Sequence, residues 1–120
     1  MTDRTDISQP RSLIYTAPDM LLREWVTEID AKARRLKISR RWLRLRPKAI
    51  IECSFDECAA VGTIEHRDEG LVSYGIYVEM KTGRRHGIPH GGDRSAVVAA
   101  RIANELSAAT GLPRRDTIYP

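Results

Sequence analysis

The chain alternates most cleanly between Leu71 and Gly83. In LVSYGIYVEMKTG, Val72, Tyr74, Ile76, Val78 and Met80 take every second position, and Ser73, Gly75, Tyr77, Glu79 and Lys81 fill the gaps. Successive side chains on a strand point to opposite faces, so a period of two with β-branched and aromatic content predicts a strand. KTG turns the chain, Gly83 supplying a positive φ, and RRHGI forms a short return strand. Upstream, AAVGTIEHR reads as a further strand, joined to the first by a turn at DEG. KAIIECSF reads as another, with Ile51, Cys53 and Phe55 on one face.

The period changes to that of a helix near the C-terminus. In GGDRSAVVAARIANELSAATGLP, Val98, Ile102, Leu106 and Ala109 recur at helical spacing, and Ala99 and Ala103 widen the stripe. A helix is expected over about 93–110, with Asp93 as N-cap, Gly111 just past its end and Pro113 where it cannot continue. Its alanines allow close approach to a sheet. The segment 18–36 fits two templates. Leu21, Trp25, Ile29, Ala33 and Leu36 fit one helical face, and TAPD offers a cap with Asp19 at its third helical position. The same stretch, EWVTEID-AKAR-RLKISRRWLRL, also reads as strand, polar turn, strand. Periodicity alone prefers the helix.

At 120 residues, 42% hydrophobic and 30% charged, the chain has the composition of one globular domain with a single core. Residues 1–12 are polar, contain Pro10 and lack periodicity, so a disordered tail is expected there. The domain is expected over 13–113, and residues 114–120 form a second tail. No apolar run approaches the ~18 residues that a membrane span needs. MTDRTDISQPRS has no apolar core of a secretory signal, so a cytoplasmic protein is expected.

Charge changes the picture more than composition does. Nine basic residues fall between Lys32 and Lys48 with no acid among them: Lys32, Arg34, Arg35, Lys37, Arg40, Arg41, Arg44, Arg46 and Lys48. The chain holds 20 basic and 16 acidic residues, so the remainder carries 11 basic against 16 acidic and is net acidic. A basic element on an acidic body points to an anionic partner. On a strand, Arg40, Trp42, Arg44, Arg46 and Lys48 share one face, with Leu43 and Leu45 opposite. Leu36 and Ile38 have the other parity, which a bulge near Arg40 and Arg41 reconciles. Trp42 among arginines suits stacking on a base or contact with headgroups. A solvated edge kept basic against aggregation uses the same residues.

Other chemistry is sparse. Cys53 and Cys58 form a C-x4-C pair with no second pair nearby. Structural zinc takes four closely spaced ligands, so two free thiols, one or both in the core, are expected. MKTGRRHGIPHGGDRS, from Met80 to Ser95, looks like a phosphate cradle. It lacks a Walker or strand-G-x-G-x-x-G-helix pattern, and Asp93 sits where an anion would bind. It reads instead as a hairpin turn and a connector. His86 and His90 are separated by Gly87 and Pro89, so they share no helical face, and His66 lies on a predicted strand. SFDE, from Ser54 to Glu57, has the form of a capping box for one helical turn. No nucleophile elbow or placed base appears, so no enzyme, no metal and no cofactor are expected.

Taken in order, the pieces from about Trp25 to Pro113 resemble the bacterial PH-like (pleckstrin-homology-like) domains. TEIDAKARRLKISRRW is similar to their opening hairpin. CSFDECAAVGTIEHRDEG is similar to their strand, short turn and strand. SYGIYVEMKTGRRHGI resembles their hairpin, and DRSAVVAARIANELSAATGLP their closing helix. The resemblance implies an α+β fold, a bent antiparallel sheet or partly open barrel capped by one C-terminal helix. In that case the Trp25 to Leu36 segment is β. It also implies that basic residues of the first hairpin, here Lys32, Arg34, Arg35 and Lys37, contact anionic headgroups. The expected function is a small non-enzymatic binding module, with a protein as first partner. Nucleic acid or an anionic membrane surface is the alternative, through Lys32 to Lys48. A homodimer through a sheet edge is a further arrangement.

Overall fold

A computed structural model describes residues 12–20, 22–42, 48–90 and 95–119. Among the described residues the fold is α+β: two four-stranded sheets and one helix. The first sheet is an antiparallel meander of β1 (Leu13–Met20), β2 (Arg23–Asp30), β3 (Arg35–Trp42) and β4 (Lys48–Ser54). A single 3-10 turn, Phe55–Glu57, carries the chain into the second sheet. That sheet contains β5 (Cys58–Asp68), β6 (Leu71–Met80), β7 (Arg85–Gly87) and β8 (Thr117–Tyr119), in the order β7-β6-β5-β8. Helix α1 (Ala96–Thr110) lies between β7 and β8 in the chain.

Among its described residues, the segment 18–36 is therefore strand and turn, not helix. Its helical spacing is a coincidence of Leu21, Trp25, Ile29, Ala33 and Leu36. The strands β2 and β3 pair without interruption from Arg23 opposite Trp42 to Asp30 opposite Arg35. The turn between them is capped by Asp30, whose carboxylate accepts the Ala33 N–H at 3.0 Å. Arg34 closes it in the left-handed region at φ 58°. The expected turns at DEG and KTG are present. Glu69 and Gly70 both have positive φ, as a two-residue hairpin matching strand twist requires, and Gly83 has φ 91°. The SFDE capping box forms, with the Glu57 carboxylate accepting the Ser54 N–H at 2.8 Å.

Between the two sheets lies one core. Ile29, Leu36, Ile38 and Cys53 enter it from the first sheet, and Cys58, Val61, Ile76 and Val78 from the second. Ala99, Ile102, Leu106 and Ala109 close it from the helix, on the face that the sequence predicted. The cap falls later than expected. Ser95 Oγ, not Asp93, accepts the Val98 N–H at 3.3 Å, and Asp93 lies outside the described residues. Gly111, at φ 77°, ends the helix and donates its N–H to the Ser107 carbonyl at 2.8 Å. The helix is also tied to the edge of the first sheet, where the Tyr15 hydroxyl donates to Glu105 at 2.6 Å.

The C-terminal stretch is not a tail. Val61 donates its N–H to the Pro113 carbonyl and accepts the Arg115 N–H, at 3.0 and 2.9 Å. Further on, β8 runs parallel to β5, with Ile64 opposite Thr117 and His66 opposite Tyr119. This strap crosses β5 at Gly62. A Cβ on Gly62 would stand 2.0 Å from the Arg115 carbonyl oxygen, so only glycine admits the crossing. The Tyr77 hydroxyl donates to that same carbonyl. A short strand of three residues with no apolar alternation leaves no period to read.

Three buried or half-buried groups make the fold sensitive to alkali. Burial, then the hydrogen bond to Glu105, raises the Tyr15 phenol. Burial, then the neighbouring Cys53, pushes the Cys58 thiol from 9.0 up to about 12, and burial raises Cys53 too. The folded state thus keeps protons that the unfolded chain releases, so this stabilisation is complete below about pH 9 and is lost as pH rises toward 12. Urea titrations across that range should show stability falling from about pH 9, with Cys53→Ala/Cys58→Ala moving the onset toward the phenol range near pH 10. An onset unchanged by the double variant would remove the thiols from this account. Gly62→Ala should cost about 1–3 kcal/mol by forced overpacking. In a double-mutant cycle, most of that cost should vanish when residues 114–120 are deleted.

Candidate functional site

The antiparallel register of β2 and β3 makes the site. Directly opposite residues on such a pair share a face. Ile29 and Leu36, then Thr27 and Ile38, form the part of this face that enters the core. The next two pairs along it are Trp25 with Arg40 and Arg23 with Trp42. The Arg40 guanidinium lies over the Trp25 ring, 5.0 Å from its centroid, and Arg23 lies over Trp42 at 5.4 Å. Aromatic and cation alternate across the strands, so each indole has a guanidinium from the neighbouring strand. Such stacking is worth about 0.5–1 kcal/mol at an exposed site. Along the face, burial falls off steadily. Leu36 is fully buried, Trp25 packs against the edge of the core, and Trp42 is 49% exposed. Lys48 stands opposite Arg40 on β4 and is exposed, which adds a third cation to the open end.

Here the structure corrects the expected parity. The strand β3 has no bulge against β2 near Arg40 and Arg41. The irregularity lies in β4, where Ile38 pairs with Ile51 but Ser39 pairs with Ala49, leaving Ile50 as the extra residue. Arg40 and Trp42 therefore continue the face of Leu36 and Ile38. Leu43, Arg44, Leu45 and Arg46 lie outside the described residues.

The other basic residues of the run are dispersed. Lys32 and Arg34 occupy the β2–β3 turn. Arg34 pairs with Asp56 at 3.0 Å, lies over the Phe55 ring at 5.5 Å, and accepts the Phe55 N–H on its carbonyl at 2.9 Å. On the outer face of the first sheet, Arg35 pairs with Glu52 at 3.6 Å and Lys37 with Glu28 at 3.7 Å. Arg41 pairs there with Glu24 at 2.6 Å. The run is free of acids in sequence, yet neighbouring strands bring acids to it at cross-strand positions. Such exposed pairs add little stability, but they neutralise the outer face.

Sequence reasoning missed Arg23 and Trp25. Their signal lies in the hairpin: a turn centred between Lys32 and Ala33 sets Trp25 against Arg40 and Arg23 against Trp42. Reading the segment as a helix hides that correspondence.

A concavity of about 370 Å³ lies on the second sheet, on the face that carries Gly75 and Tyr77. Ile64, His66, Gly75, Tyr77, Arg85 and Gly87 are among the residues that line it. Arg85 is already engaged, stacked over Tyr77 at 4.9 Å and paired with Glu79 at 3.2 Å. His86 sits on β7 opposite Val78. Both ring nitrogens of His90 are buried with no hydrogen-bond partner. Among the described residues, no three His, Cys, Asp or Glu side chains converge in a way that would hold a metal ion. Among the described residues, too, no helix is long and apolar enough to cross a membrane. No protein family, no curated protein and no solved structure matches the chain.

The burial gradient separates the two tryptophans. Trp25→Ala should cost about 3 kcal/mol or more by opening the rim of the core. Trp42→Ala should cost less than about 1 kcal/mol, the value of an exposed side chain and its stacking. Urea unfolding followed by circular dichroism measures both. Equal losses would mean that Trp42 is a structural residue and the face is not open.

Proposed function

We propose that the chain is a non-enzymatic binding module of pleckstrin-homology-like build, working in the cytoplasm. We place its contact surface at the face formed by Arg23, Trp25, Arg40 and Trp42, with a protein as partner. The order of elements supports the build: a four-strand meander, a second sheet entered at a sharp corner, and a helix packed across the core. One observation carries the choice of surface: two guanidinium-over-indole pairs at the open end of a sheet, the outer indole 49% exposed. Tryptophan and arginine are enriched among the residues that dominate protein interfaces, tryptophan through its large rigid ring and arginine through its planar, multiply donating guanidinium. Neutralisation of Arg34, Arg35, Lys37 and Arg41 by Asp56, Glu52, Glu28 and Glu24 argues against a broad polyanion track.

A second reading has its own observation. Arg40 and Lys48 face each other across β3 and β4 beside Trp42, an arrangement suited to one or two phosphates with a stacked base or a lipid headgroup.

Photocrosslinking from position 42 in an extract of the source cells, with position 37 on the neutralised outer face as control, tests the first reading. A discrete crosslinked protein should appear from position 42 alone and disappear on Arg40→Glu. The same products from both positions would overturn the surface. Titrating labelled single-stranded DNA and anionic vesicles at two salt concentrations, read by Trp fluorescence and anisotropy, tests the second. Binding that weakens with salt and is lost in Arg40→Glu would replace the protein partner by an anionic ligand. Light scattering distinguishes a homodimer joined through a sheet edge.

A further inference from the structure

We propose that Cys53 and Cys58 are a peroxide-responsive pair that closes into a reversible intramolecular disulfide, a clasp across the corner where the first sheet passes into the second. Their Sγ atoms lie 3.8 Å apart, already in van der Waals contact. Cys53 stands opposite Leu36 near the end of β4, and Cys58 stands opposite Met80 at the start of β5. Both are free thiols, 4% and 2% exposed.

The residues between them are held by three hydrogen bonds, one within the turn and two to neighbouring loops. The Ser54 N–H donates to the Glu57 carboxylate at 2.8 Å, the Phe55 N–H to the Arg34 carbonyl at 2.9 Å, and the Lys81 N–H to the Glu57 carbonyl at 2.9 Å. The turn is thus fixed to the β2–β3 loop on one side and to the β6–β7 loop on the other. Rotation about the cysteine side chains alone has to bring the sulfurs to the bonded distance of about 2.05 Å. The third sulfur here, Met80 Sδ, lies 3.9 Å from Cys58 Sγ and is a thioether that forms no disulfide.

The oxidant is hydrogen peroxide, small enough to reach a buried thiol during local opening. One cysteine, as thiolate, attacks a peroxide oxygen. An S–O bond forms, the O–O bond breaks, and the leaving hydroxide takes a proton to become water. The second sulfur then attacks the resulting sulfenic acid, forming S–S and expelling a second water. Two sulfurs lose one electron each, and one peroxide gains both. The thiol protons end in water. Burial raises both thiols and keeps the thiolate scarce, which makes the first step slow and faster at alkaline pH. A thiol reductant reverses the bond by exchange.

The full-length folded chain, treated with hydrogen peroxide and then blocked with an alkylating reagent, gives the test by intact mass and peptide mapping. The expected product is a monomer lighter by two hydrogen atoms, with neither cysteine alkylated, a mapped link from Cys53 to Cys58 and full reversal by dithiothreitol. Its urea midpoint should exceed that of the reduced protein. Cys53→Ala and Cys58→Ala should give no such product, and Met80→Leu should still give it, which separates the bond from oxidation of Met80. Alkylation of both cysteines after treatment, stable sulfinic or sulfonic acids, or a linked dimer would overturn the proposal. A disulfide that forms only after urea is added would overturn it as well.

Discussion

The helix face of Ala99, Ile102, Ala103 and Leu106 is the wall that the two sheets share, and the rest of the architecture depends on it. Neither sheet buries its inner face alone. Val61, Ile76 and Val78 on one, and Ile29, Leu36 and Ile38 on the other, meet this stripe in one core. Burying each large aliphatic side chain is worth about 1.5–3 kcal/mol. The ion pairs on the outer face are worth a small fraction of that each. Docking of the helix therefore outweighs the surface electrostatics. The alanines matter through what they lack, since short side chains let the helix axis approach the sheet. Tyr15 then ties the helix to the far edge of the first sheet through Glu105, ninety residues away in the chain.

That wall also explains why the arginine–tryptophan face lies where it does. The inner face of β2 and β3 is apolar at Ile29, Leu36 and Ile38, and it changes character at Trp25 and Arg40. Tryptophan suits such a boundary because its ring packs against apolar groups while its edge tolerates water. An arginine stem lies along apolar surface while the guanidinium stays hydrated. The chain thus runs from core to open surface along a single strand pair, without changing face. The same run of basic residues serves two purposes according to parity. Lys37 and Arg41 point outward to glutamates, while Arg40 points inward to an indole.

How much of this was legible depended on where polar residues fell. In β6 the period of two survives, because Ile76 and Val78 face the core and their neighbours only partly break the pattern. The helix was legible for the same reason, with its stripe, its terminating glycine and the following proline all in place. In β2 the pattern fails because Thr27 is fully buried at a core position, while Val26 is buried on the opposite face. On β3, Ser39 stands opposite Val26 on that other face and is buried too, its hydroxyl donating to the Val26 carbonyl at 3.4 Å. A polar residue on the core face and an apolar one buried on the other erase the alternation, and the spacing of Trp25, Ile29 and Leu36 then imitates a helix. Of the site, Arg40, Trp42 and Lys48 were legible as residue types, whereas Arg23 and Trp25 needed the register. The strap at Arg114 to Tyr119 was not legible, because backbone hydrogen bonds and a missing Cβ at Gly62 hold it, and neither leaves a hydropathy signal.

The site is consequently a property of register more than of composition. A slip of one residue between β2 and β3 would turn Arg40 and Trp42 to the outer face and send Ser39 and Arg41 inward. Three features oppose that slip. Leu36 and Ile38 are both fully buried, so each resists leaving the core. Arg34 anchors the turn at one end, through its carbonyl to the Phe55 N–H and its guanidinium to Asp56. The extra residue Ile50 in β4 takes up the mismatch on the neighbouring strand, so β3 keeps its pairing with β2 unbroken. The corner at Ser54 to Cys58 thus does more than join two sheets. By holding the Arg34 turn, it sets which arginines meet tryptophan and which meet glutamate.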